Sequence, residues 1–369
     1  MSGTFKALAG RIESTSKGRE YMVLDPLQSG QRLVPDLTAK LRGRYKVLQR
    51  IYLHQPIGRR SLAQVMGLTE RVLRADVELL KEQGLIDVGP LGMTISEAGT
   101  TVLADLDEVV RNLDGRSGLE RRLGHLLGIP HIVIVPGDCQ NDETVMRDLG
   151  YGAALIVRSY IASQSPYTIA VTGGSSLAWL TEMMPHSVNS QPVEVLPARG
   201  GMGERLEFLA NTIASRLAEK LGGTYRMFHV PELMSRQTAE QLALEPSIQE
   251  MVDRIRQADL VIHGIGEAIT MAKRRHLDEW TTQSLKKSGA VAEAFGYYFN
   301  ENGEIVHMMS TLGLRLEDLS KIPKVIGVAG GADKAVAIRA VAKAYQMDAL
   351  ITDEGAAHTI LAAAEEESN

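Results

Sequence analysis

The chain holds one cysteine, Cys139, in 369 residues. One thiol cannot close an internal disulfide, and a chain so poor in cysteine fits a reducing cytosol. Cys139 reads as a small filler at a strand end before it reads as a catalytic thiol. No apolar run reaches the roughly 18 residues a membrane helix needs, so none is expected. The first residues, MSGTFKALAGRIESTSKGRE, lack the unbroken apolar core of a secretion signal. A cytoplasmic protein without membrane attachment is the expectation. No Cys/His cluster has zinc spacing, so no metal is expected. Neither G-x-G-x-x-G nor G-x-x-x-x-G-K-[ST] occurs, so nothing indicates a nucleotide and no cofactor is expected.

What is present suits a small domain joined to a large one. Hydrophobic residues at 44% and charged residues at 23% are ordinary for a globular protein. The net charge of −5 is unevenly spread. Arg32 to Gly84 carries eleven Lys and Arg against five Asp and Glu, a balance of +6 that leaves −11 for the rest. A small basic segment on an acidic body is the electrostatic signature of a phosphate-backbone reader, although an excess of charge is more often a solvated surface.

Within that segment, RYKVLQRIYL (44–53) places Tyr45, Leu48, Ile51 and Tyr52 at helical spacing. Gln55-Pro56-Ile57-Gly58 breaks the helix. A short helix is expected over Ser61 to Met66, capped by Ser61, and a longer one after Thr69 with Leu73, Val77 and Leu80 inward. Gly67-Leu68 forms the turn between them and Gly84 ends the second. This is the helix-turn-helix pattern, in which the start of the second helix enters the major groove. Thr69, Glu70, Arg71 and Arg74 then face base edges, while Arg59 and Arg60 can grip phosphates; Ser61 beside them completes the candidate DNA-binding set. LIDV and MTIS flank Gly89-Pro90-Leu91-Gly92 as a wing. The alternative is a three-helix packing module with an incidental charge excess.

Residues 96–127 read as an amphipathic helical connector interrupted at Asp114-Gly115-Arg116-Ser117-Gly118. Its leucine stripe fits a spacer, a dimer seam, or packing on its own domain. From His131 short β-branched strands alternate with helices, which indicates a parallel sheet covered by helices. The strands are IVIVP (132–136), TIAVT (168–172), VEVLP (193–197), YRMFHV (225–230), LVIHG (260–264), VIGVA (325–329) and ALIT (349–352). GYYFNENGEIV (296–306) reads as an antiparallel hairpin. Four strands run into glycine loops: Gly173-Gly174-Ser175-Ser176, Arg199-Gly200-Gly201, Gly264-Ile265-Gly266 and Gly330-Gly331-Ala332-Asp333-Lys334. Ligands of open α/β sheets sit beyond the strands' carboxyl ends, where glycine admits an anion and the next helix offers free N–H groups. Ser175 and Ser176 add hydroxyls, and Arg199 and Lys334 add charge. Any one such loop is more often a tight turn; several on one sheet edge favour a phosphate ligand.

PIGRRSLAQVMGLTERVLRADVELLKEQGLIDV (56–88) resembles the DNA-binding module of the central glycolytic genes regulators, in the SorC group of sugar-responsive regulators. AVTGGSSLA (170–178), PARGGMGE (197–204), VIHGIGEA (261–268), AVAEAFGYYFN (290–300), VAGGADKA (328–335) and LITDEGAA (350–357) resemble the group's effector domain. The similarity spans about Leu33 to Ala363. It implies an α/β chain: a winged helix-turn-helix followed by a Rossmann-like effector domain of the sugar-phosphate-isomerase kind, without catalysis. The implied divisions are 1–31 as an extension, 32–95 as the DNA-binding domain, 96–127 as a helical linker and 128–369 as the effector and oligomerisation domain.

By the same resemblance the chain is a homo-oligomeric repressor on double-stranded operator DNA, relieved by fructose-1,6-bisphosphate or a related phosphosugar. Gly173, Gly174, Ser175 and Ser176 would hold one phosphate, Arg199 and Lys334 would supply charge, and Glu293 would bond sugar hydroxyls. Gly264 and Gly266 belong to the same loop set. The group often has threonines at Ser175 and Ser176 and a glutamine at Leu209. A regulator of the group tuned to another phosphosugar is the first alternative. A sugar-phosphate isomerase bearing a DNA-binding domain is the second, since Glu293 and Asp353 are available carboxylates.

The remaining features read as structural. Thr352 and Asp353 cap a helix before they perform acid–base work. His263 is a hydrogen-bonded strand histidine, and Trp179 and Trp280 pack. Lys17-Gly18-Arg19-Glu20 fits purine-rich codons ahead of Met22, which makes Met22 a candidate start beside Met1. An arm that is disordered or touches DNA is the equal alternative.

Overall fold

The computed structural model describes residues 33–161, 167–185, 192–201, 206–231 and 234–367. The stretch holding Met1 and Met22 lies outside them. Helix α1 (Pro35–His54) buries Tyr45, Leu48, Ile51 and Tyr52, the spaced residues read from the sequence. Helix α2 (Arg59–Val65) and α3 (Glu70–Glu82) follow, then the hairpin of β1 (Ile86–Gly89) and β2 (Gly92–Ile95). Thr69 caps α3, accepting from the Val72 N–H at a long 3.4 Å. Ser61 is not a cap. Gly58 holds that position in extended backbone, its carbonyl accepts from Leu62, and α2 starts two residues early at Arg59.

The connector forms α4 (Glu97–Leu113) and α5 (Arg116–Leu127), divided at Gly115 with φ 78°. Its stripe packs on this chain, split between two cores. Leu103 and Val110 join the core of the helix-turn-helix, whereas Leu123 joins that of the large domain.

In the large domain β3 (His131–Val135), β4 (Tyr167–Val171), β5 (Val193–Pro197), β6 (Thr224–Tyr225), β7 (Leu260–Gly264), β12 (Lys324–Val328) and β13 (Ala349–Asp353) form a parallel sheet. Their order is β3-β13-β12-β7-β4-β5-β6. Because side chains alternate along a strand, the sheet feeds two cores. Ile132, Ile134, Val261, Val325 and Leu350 face α10 (Pro246–Arg256), α13 (Ala335–Ala344) and α14 (Glu354–Glu367). Val133, Val171, Ile262, Val328 and Ile351 face α6 (Val145–Ile161), α7 (Ser175–Met183) and α8 (Ala210–Leu221). A smaller antiparallel sheet, ordered β11-β10-β9-β8, comprises β8 (Gly266–Glu267), β9 (Ala292–Ala294), β10 (Tyr297–Phe299) and β11 (Ile305–Met308). Its β10–β11 pair is the expected hairpin. Short helices α9 (Arg236–Leu242), α11 (Ala268–Arg274) and α12 (Glu279–Lys287) complete the layer.

Two further expectations fail. YRMFHV yields a strand only at its first residue, in β6. At Phe228 the Asn211 side chain takes over the backbone, accepting its N–H at 2.8 Å and donating to its carbonyl at 3.2 Å. Trp280 does not pack: it is 81% exposed, and Leu285 is the residue α12 buries. Among the described residues no helix is long and apolar enough to cross a membrane.

Candidate functional site

The strand order sets β12, β7, β4 and β5 side by side, so their glycine loops emerge along one sheet edge. After β4, Gly174 adopts φ 121° and ψ 164°, a region open essentially to glycine. Its N–H donates to the Phe208 carbonyl at 2.9 Å, and a Cβ on Gly173 would lie 2.5 Å from that oxygen. Helix α7 starts at once, so Ser175 and Ser176 head it with first-turn N–H groups that have no intrahelical partner. Ser176 is buried and Ser175 half-buried.

After β12 the chain repeats this device. Gly331 has φ 111° and ψ 133°, followed by the 3-10 turn Ala332–Lys334 and α13. This second cradle already holds an anion. Asp138 accepts from the Ala332 N–H at 3.1 Å and from the Gln140 N–H at 2.9 Å. Lys334 is half-buried beside it. Burial pushes its amine below the ordinary lysine value, Asp333 opposes this, and nearby Arg274 adds to the depression.

Between the cradles lies the end of β7. The Gly264 N–H reaches the Thr172 hydroxyl at 3.3 Å, and a Cβ on Gly264 would lie 3.9 Å from the Gly173 carbonyl. Gly266 opens β8, which pairs with β9 at Glu293. Glu293 is buried in a three-part ion cluster, 2.8 Å from Arg275 and 3.8 Å from Arg199. It also accepts the Gly296 N–H at 2.7 Å. Burial pushes its carboxyl up, but Arg275, then Arg199, outweigh this and hold it below the usual glutamate value. Glu293 is therefore a carboxylate, locked in place by both guanidiniums. Arg199 is itself buried and its backbone bridges to Gly313, while Gly296 leaves room for its guanidinium, since a Cβ there would lie 2.8 Å from Arg199 Nη1.

Nearby groups take structural roles. Asp353 is fully buried, accepts from Cys139 and Ala356 N–H groups at 2.7 and 2.8 Å, and so caps α14. The Thr352 hydroxyl has no partner and does not share that task. His263 contacts the Gly264 carbonyl at 3.1 Å and the Tyr345 hydroxyl at 3.4 Å, and burial holds it at about 4 and thus neutral. Burial also pushes the Cys139 thiol up, so it is a poor nucleophile. Arg274, Arg275 and Asp138 escaped the sequence reading. The cations looked like ordinary helix-end residues, and only the fold shows what they oppose.

In the N-terminal domain, Arg59, Arg60, Ser61, Thr69, Glu70, Arg71 and Arg74 are all exposed, on α2, α3 and the cap between them. Leu62 and Ala63 of α2 and Leu73, Val77 and Leu80 of α3 are buried behind them. Arg74 is engaged by Glu78 at 2.8 Å, whereas Arg71 forms no ion pair among the described residues. The wing, residues 86–95, carries no Lys or Arg, so its cationic contribution to phosphate binding is nil.

A basic, exposed helix-turn-helix beside an α/β domain with anion cradles defines a sugar-binding transcriptional regulator. Two family models agree: the CggR N-terminal DNA binding domain matches residues 41–110 and a sugar-binding domain matches residues 111–362. The central glycolytic genes regulator of Priestia megaterium is 43% identical over 90% of this chain and 96% of its own length. That of Bacillus subtilis is 40% identical over 91% and 98%. A SorC family regulator structure from Enterococcus faecalis, 39% identical, covers 66% of this chain and 99% of its own with TM-score 0.60. The full-length sorbitol operon regulator SorC of Klebsiella pneumoniae, 18% identical, shares the fold over 88% and 98% with TM-score 0.64. The chain belongs to the central glycolytic genes regulator family. It is a transcriptional regulator and not an enzyme.

Proposed function

We propose that this protein represses central glycolytic genes from operator DNA and releases that DNA when fructose-1,6-bisphosphate fills the strand-end site. The carrying observation is the pair of glycine turns, at φ 121° and 111°, that end β4 and β12 on either side of β7. Two strand spacings separate the cradles by about 10 Å. That span suits a six-carbon sugar with a phosphate at each end and leaves a monophosphate holding one cradle only.

One phosphate sits on the Gly173–Ser176 turn at the start of α7. The other approaches Lys334 and Arg274, where Asp138 gives up the Ala332 N–H. Glu293, fixed by its arginines, accepts from sugar hydroxyls, and Arg199 adds positive potential. Gly264 and Gly266 let the backbone pass close to the sugar. The exposed α2–α3 face reads the operator, with Arg71 and Arg74 toward bases and Arg59, Arg60 and Ser61 toward phosphates; Thr69 and Glu70 complete its leading edge. The protein works in the cytoplasm as a homo-oligomer.

Titrating the DNA upstream of the glycolytic operon at fixed salt, with and without sugar, tests this. Fructose-1,6-bisphosphate should weaken binding while fructose-6-phosphate leaves it unchanged. Tight binding indifferent to the bisphosphate would sink the effector assignment; absence of binding would sink the DNA assignment.

A further inference from the structure

Helix α7, whose first turn is the proposed phosphate cradle, ends on the DNA-binding head. Nine residues at 1.5 Å each make it a rod of about 13 Å. Its first turn forms the Gly174–Ser176 cradle. At its far end the Met183 carbonyl, one of the groups a helix terminus leaves unpaired, accepts the Tyr52 hydroxyl at 2.6 Å. Both groups are buried, and the Met183 side chain belongs to the core of the head. Tyr52 lies in the last turn of α1, directly before the strap that leads into α2 and the recognition helix.

The rod is also held along its side. A Cβ on Gly150 of α6 would lie 2.5 Å from the Trp179 carbonyl carbon, so the α6 and α7 backbones touch. Arg147 of α6 stacks 5.1 Å from the Trp179 ring and donates to the Leu53 carbonyl of α1. Tyr52 and Tyr151 of α6 pack with ring centres 5.1 Å apart. Close-packed elements move as bodies and do not deform smoothly. A shift of α7 toward a bound phosphate therefore acts on α1 at Tyr52.

We infer that Tyr52 is the positioning residue that couples the effector site to DNA binding, through its hydrogen bond to the last turn of α7. This rests on the effector-controlled repression proposed above. The phosphate draws on the first turn of α7, the Met183 carbonyl moves with the rod, and the Tyr52 hydrogen bond follows or breaks. Either result changes how α1 sets the recognition helix. Coupling of this kind requires the bisphosphate to favour one of two placements of α7.

The test compares the ratio of DNA affinities without and with fructose-1,6-bisphosphate in wild type, Tyr52→Phe and Tyr45→Phe. Tyr45, also on α1, bonds Asp107 of α4 at 2.9 Å, so Tyr45→Phe removes a similar bond that does not reach α7. The wild-type ratio tests repression itself: a ratio of one defeats the functional reading before Tyr52 is at issue. With a responsive wild type, Tyr52→Phe should cut the ratio at least about fivefold. Calorimetry should find its sugar affinity without DNA nearly unchanged, and Tyr45→Phe should respond as wild type does. A Tyr52→Phe protein with the wild-type ratio, or equal losses in both variants, would overturn the coupling role.

A second readout does not depend on either tyrosine variant folding. The chain has two tryptophans, so Trp280→Phe leaves Trp179 on α7 as the sole reporter. Fructose-1,6-bisphosphate should change its emission; unchanged emission at saturation overturns the movement of α7.

Discussion

In the proposed effector site, Gly174 is the residue whose role rests on a single backbone conformation. A Cβ there would meet nothing within 4 Å, so Gly174→Ala produces no clash. The cost is the φ of 121°, roughly 1–3 kcal/mol of strain, which the loop relieves by turning the Ser175 and Ser176 N–H groups away. Gly174→Ala should lower bisphosphate affinity about tenfold or more by calorimetry, with DNA binding in the absence of sugar unchanged. Unaltered affinity would mean the phosphate does not use this turn. The glycines and Lys334 were legible because strand, glycine and cation fall in sequence order. Arg275 was not: nothing in local spacing ties it to Glu293, and only the approach of α11 to β9 creates the ion cluster. Asp138 was hidden for the same reason, since its contact with Ala332 joins loops far apart in the chain.

At the scale of elements, caps and periodicity carried most of the reading. Thr69 and the inward Leu73, Val77 and Leu80 mark α3 in the sequence, where its cap and buried face stand as expected. The start of α2 was missed because Gly58 caps with backbone alone, leaving no side-chain signature. YRMFHV has the composition of a strand, but Asn211 satisfies Phe228 and the ladder stops. Composition can propose a strand; the competing side chain decides. The recognition helix gives a prediction at this scale. Arg71 and Arg74 share its leading turns, but Arg74 must give up its exposed pair with Glu78 before it can grip DNA. Arg71→Ala should therefore cost about 1–3 kcal/mol of specific binding, and Arg74→Ala less. Filter or anisotropy titrations on operator and scrambled DNA at one salt concentration measure both. The reverse ranking would mean that the helix sits rotated in the groove.

The division into a basic head and an acidic body was visible in the whole sequence as a reversal of charge and a change of hydrophobic period. The joint between them was not. Tyr52, Arg50 and Asp148 look like ordinary members of amphipathic helices, and only the packing brings Arg50 within 2.6 Å of the buried Asp148. Tyr151 and Met183 of the large domain sit in the core of the head, so unfolding the head exposes part of the body. The two should therefore melt as one cooperative unit. A ligand at about one hundred times its Kd stabilises a native state by about 2.7 kcal/mol. At about 2.1 cal/mol/K of unfolding entropy per residue, a single cooperative unit of 369 residues shifts by about 1.3 °C per kcal/mol, so saturating bisphosphate should raise the melting temperature by roughly 3–4 °C. Far-UV circular dichroism, which sees both domains, and tryptophan emission, whose reporters Trp179 and Trp280 lie in the body with Trp179 packed against the core of the head, should move together. If the dichroism instead shows an early transition that ignores the sugar, the head is thermodynamically independent. Its contacts with α6 and α7 would then carry no free energy from one site to the other.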